Sequence, residues 1–343
     1  MFKRLVLSAT TLLIAGMAIA SDGAPYVIAE RWALGGDGGW DYLSVDGGAH
    51  LLYLSRATHV AIVDLATGKI AGDIDGTPGV HGIALAPDLG RGYISAGKAN
   101  QVKVFDLNTR RVTASIDVGS KPDAILYDRH SHRVVVFNGH GDSATIIDAV
   151  AGKLVATLNL GGAPEFARSD EAGHVYVNIE NKNELAAIDI DVPAVTAHWA
   201  LPGCDAPSGL ALDAAHHRSF SVCSNAAMAI LDTQSGKSLA TLPIGHGVDG
   251  AEFDSASQNA FSANGDGTLT VVHEADPDHF SVVQNLATAN GARTIALDAV
   301  THRIYLPTAS FGSISPSLLD PHPKSPILPN SFVVLVVAPA GKN

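Results

Sequence analysis

The chain has 343 residues, 46% of them hydrophobic, with 34 glycines and 17 prolines. It can bury one large core, and a closed repeat domain can use all of it, so length alone does not ask for two domains. The formal net charge of -12, from 34 acidic and 22 basic residues, disfavours nucleic acid and anionic lipid as partners.

Residues 1–20 read as a secretory signal. Lys3 and Arg4 precede an apolar run from Leu5 to Ile19, and Ala18-Ile19-Ala20 is an A-x-A cleavage site ahead of Ser21. The run is short for a bilayer span, and no later apolar stretch is long enough to cross. The mature part, 21–343, is expected in the periplasm or outside the cell as a single domain, taken as a monomer.

A unit of about 42 residues then recurs along the chain. Its cleanest copy runs Gly79-Val80-His81-Gly82-Ile83-Ala84-Leu85, Arg91-Gly92-Tyr93-Ile94, Gln101-Val102-Lys103-Val104-Phe105-Asp106 and Arg111-Val112-Thr113-Ala114-Ser115-Ile116. Four strand-length apolar segments separated by turns make a propeller blade. Units at 40–74, 79–119, 121–161, 163–203, 206–246, 248–288 and from 292 onward predict an all-β, seven-bladed propeller of four-stranded antiparallel blades.

The turns are regular. Thr67-Gly68-Lys69, Ala151-Gly152-Lys153 and Ser235-Gly236-Lys237 join third and fourth strands. Asp64, Asp106, Asp148, Asp189 and Asp232 precede such turns and are expected to cap backbone N–H groups, not to do chemistry.

The last unit is incomplete. After Leu306 comes a Pro/Ser-rich insertion, 308–330, expected as a surface loop because its prolines forbid strand pairing. One strand, 332–337, follows. The missing fourth strand lies at the other end of the chain, at 26–35, and pairing the two would close the ring and remove its open edges.

Cys204 lies in the loop leading into a first strand, and Cys223 ends the second strand of the same blade. Both lie toward one face, where an exported chain can form a disulfide. Two free buried thiols, or a metal or catalytic role, are the alternatives.

A propeller's first strands line its channel. Aligning the units puts one residue per blade at the channel mouth: Asp41, His81, Asp123, Glu165, Ser208, Asp249 and Arg293. Like charges gathered there favour a bound cation, a shared proton or a basic partner. His81, Asp123, Glu165 and Asp249 are candidate ligands for a divalent metal ion, calcium or zinc. Loop capping is the structural alternative for each carboxylate. No HExxH, EF-hand or paired CxxC spacing singles out a metal. A second ring, at the ends of second strands, holds Arg56, His140, Glu180, Asn225 and Asp266, with Lys98, His59, His246 and Trp40 nearby. His130, His132, His216, His217 and His302 fall at hairpins on the opposite face and read as solvated turn residues.

The stretches Ile62-Val63-Asp64-Leu65-Ala66-Thr67-Gly68-Lys69, Val104-Phe105-Asp106-Leu107-Asn108-Thr109-Arg110-Arg111 and Leu231-Asp232-Thr233-Gln234-Ser235-Gly236-Lys237 resemble the bacterial YVTN beta-propeller repeat proteins. The openings at Pro122, Pro164 and Pro207 also match, and the likeness covers nearly the whole mature chain. The namesake tetrad is nowhere intact; Tyr93-Ile94-Ser95-Ala96 and Tyr176-Val177-Asn178-Ile179 come nearest. The resemblance implies an exported, WD40-like binding protein that presents its mouth to a small ligand, a metal ion or a protein partner. Lactonases and the large subunit of quinoprotein amine dehydrogenases share the propeller shape. A metal-dependent hydrolase, or the propeller subunit of a periplasmic redox system, is therefore the alternative, although no catalytic motif of theirs is found here.

Overall fold

In every repeat the two middle strands are largely buried, because adjoining blades cover both of their faces. Leu51–Arg56 is buried throughout, and His59–Asp64 is buried at its four central positions. Outer strands face solvent and carry more polar residues: Val112–Asp117 is almost wholly exposed. The structure, a computed structural model, describes residues 25–313 and 325–341. The expected signal at 1–20 and the centre of the 308–330 insertion lie outside the described residues. Among the described residues no helix is long and apolar enough to cross a membrane.

Seven four-stranded antiparallel sheets form, each with its strands in sequence order except the last. In the seventh, Tyr26–Ala33 pairs antiparallel with the C-terminal strand Val333–Pro339, with Tyr26 opposite Pro339 and Trp32 opposite Val334. Arg303–Thr308 and the short inner strand Ala296–Asp298 complete it. The expected ring closure therefore holds. Part of the insertion is tied back by a bridge between Phe311 and Ile327.

The core is a set of seams between blades. Leu51, Tyr53 and Ile62 of the first blade interlock with Val80, Ile94 and Phe105 of the second. Each such large side chain, once buried, contributes about 1.5–3 kcal/mol. No seam stands alone, so closing the ring completes the first and last ones together.

The turn aspartates behave as the sequence predicts. The backbone N–H groups of Ala66 and Thr67 donate to Asp64 Oδ1 at 3.1 and 2.8 Å, and Asp106, Asp148, Asp189 and Asp232 repeat the arrangement. Gly68 supplies the left-handed residue of its turn at φ +65°, against the Trp32 ring. Cys204 and Cys223 form a disulfide with Cα atoms 5.4 Å apart.

Candidate functional site at the channel mouth

The inner strands carry a recurring irregularity at the mouth. Register slips between Val80 and Ile83, Pro122 and Ile125, Pro164 and Ala167, Pro207 and Leu210, and Val248 and Gly250. Each interval contains one predicted ring residue: His81, Asp123, Glu165, Ser208 or Asp249. A bulge frees a residue from the ladder and re-aims its side chain. Five blades thus deliver a side chain to the mouth by the same device. Close packing of neighbouring inner strands is set by glycine: a Cβ on Gly209 would meet the Asp249 carbonyl and the Ala251 N–H at 2.8 Å.

The ring residues are held from behind. Ser55 Oγ accepts the Asp41 N–H at 2.8 Å, and Thr294 Oγ1 donates to the Asp41 carbonyl at 3.0 Å. Ser95 Oγ donates to the Asp123 carbonyl at 2.5 Å. Asn178 Nδ2 donates to the Ser208 carbonyl at 2.9 Å.

At the centre of the charge, His81 Nδ1 lies 2.6 Å from Asp41 Oδ2 and 3.5 Å from Asp123 Oδ1. Ligand atoms of these three residues all fall within 4.8 Å of one another, close enough to share one divalent ion. Lys121 Nζ reaches within 3.8 Å of Asp123, and Arg293 Nε pairs with Asp249 at 2.9 Å. The backbone of Gly97 lies against the His81 ring, where a Cβ would come within 2.9 Å of Cδ2.

The electrostatics follow from burial and crowding. Burial opposes charge on His81, but the hydrogen bond it donates to Asp41 and the charges of Asp123 and Asp41 prevail and raise its pKa. Burial raises Asp123, with Asp41 adding to the effect and His81 and Lys121 opposing it. Burial pushes Glu165 up to about 8, helped by the charges of Asp123, Glu180 and Asp249. Asp249 rises to about 7, again mainly by burial, although Arg293 pulls the other way. The phenol of Tyr42 is raised well above its usual value by burial and then by Asp123, Asp41, Asp249 and Glu165. That residue, not among the predicted mouth residues, lies within electrostatic reach of all four carboxylates. Its ring meets Phe166 edge-on at 4.9 Å. Tyr42 and Phe166 also line a cavity of about 460 Å³ along the channel, which contains Arg168 and Glu252 as an ion pair at 2.8 Å.

Not every predicted residue serves the mouth. Arg56 is only 4% exposed; it donates to the carbonyls of Gly35, Asp37 and Gly38 and stacks on Phe332 at 3.8 Å. It anchors the loop before the first blade. Ser208 Oγ donates to the Val248 carbonyl at 3.3 Å, joining two blades. Asn225 and Asp266 cap loop backbone, and Trp40 packs on Phe311 and Phe332. His59 faces Asp73 at 3.6 Å. His140 and Glu180 act on the ring through charge, His140 lowering Asp123 and Glu180 raising Glu165. His246 and Lys98 are exposed at loops.

On the opposite face three histidines correct the expectation of free, solvated turns. His132 Nδ1 lies 2.8 Å from the Tyr127 hydroxyl and 3.4 Å from Asp88 in the neighbouring blade. His302 Nδ1 lies 3.0 Å from Asp254 in the neighbouring blade. His216 Nδ1 lies 2.5 Å from Asp213 and 3.4 Å from Glu274, and these three form a second group with metal-ligand spacing among the described residues. Glu274 lies two residues before the end of the strand Thr268–Asp276, and only its mismatch with the other repeats could have drawn notice.

No known family profile matches the chain, and no curated protein matches it. Solved structures do. The structure of U3-55K superposes with a TM-score of 0.72 at 8% identity, covering 88% of this chain and 97% of that one. The WD40 repeats of RRP9 give 0.73 at 8%, covering 89% and 96%. Hydrazine synthase of Kuenenia stuttgartiensis gives 0.67 at 15%, covering 86% and 95%. At these identities the likeness is one of fold: this chain is a seven-bladed β-propeller structurally related to WD40-type propellers.

Proposed function

We propose that this is an exported binding propeller of the YVTN repeat type whose acidic mouth captures a divalent transition-metal ion. The ion serves as the anchor for a small ligand or a protein partner. The observation that carries this reading is the meeting of His81 with Asp41 and Asp123 across blade boundaries, at 2.6 and 3.5 Å. They stand in a ring where the carboxylates of Asp41, Asp123, Glu165, Glu180 and Asp249 outnumber the permanent cations Lys121 and Arg293. An ion relieves that repulsion directly. An imidazole among the donors favours zinc over calcium, which takes oxygen ligands. Above their raised pKa values Glu165 and Asp249 would add negative charge that draws a cationic group of the ligand or partner.

Titration calorimetry of zinc into the full chain tests this. The double variant His81→Asn/Asp123→Asn should lose one zinc relative to the wild type. Equal stoichiometry and affinity in the two proteins would refute the assignment.

A second reading, metal-dependent hydrolysis at the same mouth, is favoured by one observation. In the metal-free ring, burial and the charges of Asp123, Glu180 and Asp249 raise Glu165 to about 8, in the range of a general acid at neutral pH. A hydrolytic activity lost on chelation and in Glu165→Gln would turn the binding protein into an enzyme.

A further inference from the structure

The repeat breaks its own rule at one buried position. The residue after the third strand's turn position donates its N–H to the end of the first hairpin: Leu65 to His50, Leu107 to Gly90, Ala149 to His132, Ile190 to Gly173, Thr233 to His217 and Glu274 to Gln258. Four of the five counterparts are apolar and the fifth is threonine. In the sixth blade the position is a glutamate whose side chain is 0% exposed. Neither Oε1 nor Oε2 has a hydrogen-bond partner. A carboxylate withdrawn from water without a donor is costly, so a repeat that fills this position with an uncharged, mostly apolar side chain elsewhere has no packing reason to place an acid here.

The nearby cation does not satisfy it. Arg218 donates through Nε to the Pro277 carbonyl at 2.7 Å and through Nη1 to Asp232 at 2.5 Å and the His217 carbonyl at 3.2 Å. Its Nη2 is 3.9 Å from Asp278. What does face Glu274 is His216 Nδ1 at 3.4 Å, with Asp213 beyond it at 2.5 Å from the same nitrogen. Asp213 uses Oδ1 to cap the Ala215 N–H at 3.1 Å, which leaves Oδ2 turned toward His216 and Glu274. Burial and the charge of Asp213 also raise Glu274 to about 7.

We propose that Asp213, His216 and Glu274 bind a zinc ion that staples the fifth blade to the sixth, on the face opposite the channel mouth. One imidazole nitrogen and two carboxylates are a zinc donor set, with bonds of about 2.0–2.2 Å. Donors on a tetrahedral ion stand about 3.3–3.5 Å apart at those bond lengths, so the His216–Glu274 spacing is already suitable. Asp213 needs only to draw back from the imidazole. His216 is 39% exposed, which leaves water a route to the fourth position. Because Asp213 and His216 sit on one blade and Glu274 on the next, the ion would lock a seam at a position that the other blades fill with uncharged side chains.

The test uses the full chain carrying His81→Asn and Asp123→Asn, so that the mouth contributes no zinc. After dialysis against zinc and then zinc-free buffer, this protein should retain one equivalent, and zinc should raise its thermal midpoint relative to chelator. Adding Glu274→Leu, the side chain of its counterparts Leu65 and Leu107, should abolish retention and the shift. It should also raise the midpoint measured in chelator. His216→Asn, at a partly exposed position, should weaken zinc binding by more than the roughly 10–100-fold that loss of an outer-shell partner costs. Absence of retained zinc in the mouth-disabled protein, or retention unchanged by Glu274→Leu and His216→Asn, would overturn the proposal and leave Glu274 a buried protonated acid.

Discussion

His81 belongs to the second blade and Asp41 to the loop that leads into the first, yet His81 Nδ1 and Asp41 Oδ2 stand 2.6 Å apart. The pair joins two blades at the rim of the channel. Gly82 allows the crossing further round, since a Cβ there would meet Ile125 at 2.8 Å and the Asp123 carbonyl at 3.1 Å.

This pairing makes a pH prediction. His81 has its pKa raised above 6.5 in the folded state. A raised histidine contributes stability that is fully present below its unfolded pKa and is lost as pH rises through the folded one. Following the His81 ring by NMR should show a titration above that of an exposed histidine. Asp41→Asn should move it down and remove about 1 kcal/mol of the acid-side stability, the upper end of the scale for exposed ion pairs, because both side chains are about three-quarters buried. An unchanged midpoint in the variant would mean that the contact is not an ion pair.

Glu165 and Asp249 give the complementary case. Their folded pKa values, about 8 and about 7, lie above the usual 4.5 and 3.8. The native state then binds more protons than the unfolded chain across that window, so their contribution falls as pH rises from about 4 to 8. Thermal midpoints should decline over this range in metal-free protein. Glu165→Gln should flatten the decline and gain roughly 1 kcal/mol at pH 8 after allowance for solvent screening. A wild-type curve that rises across the window would contradict the crowding of charge at the mouth.

Gly97 supports the site by having no side chain. A Cβ there would stand 2.9 Å from the His81 ring and 3.2 Å from the Pro122 carbonyl. Gly97→Ala should push the imidazole off the carboxylates and weaken mouth zinc binding about tenfold, equivalent to ~1.4 kcal/mol. Circular dichroism should stay that of the wild type. Unaltered affinity would show that His81 is not a ligand.

The disulfide closes a loop with a sequence separation of 19. On the chain-entropy account a loop of that size contributes about 3 kcal/mol. Unfolding in denaturant with and without reductant should differ by that order, whereas coincident curves would mean that the fifth blade holds its loop without it.

Much of the fold was legible in the sequence because the repeat constrains itself. Asp64, Asp106, Asp148, Asp189 and Asp232 mark one turn in five blades, and the strand 26–33 could be paired with the C-terminus because the last repeat lacked its fourth. The inner-ring positions followed from the same alignment. Their side-chain partners did not, since contacts between blades depend on bulges and on glycines such as Gly82 that no local pattern reports. Arg56 looked like a mouth residue by register, but the carbonyls of the 35–38 loop hold its guanidinium. His216 looked solvated because a hairpin usually is; its partner Glu274 is 58 residues away and buried by the next blade.

The central claim is that an ion sits at the mouth between His81 and the carboxylates beside it. Anomalous diffraction at the zinc edge, from crystals of the zinc-loaded full chain, tests it most directly. The account predicts a peak about 2.0–2.2 Å from His81 Nδ1 and from an oxygen of Asp41 or Asp123. Water alone at that position, under zinc concentrations that saturate the protein, would contradict it.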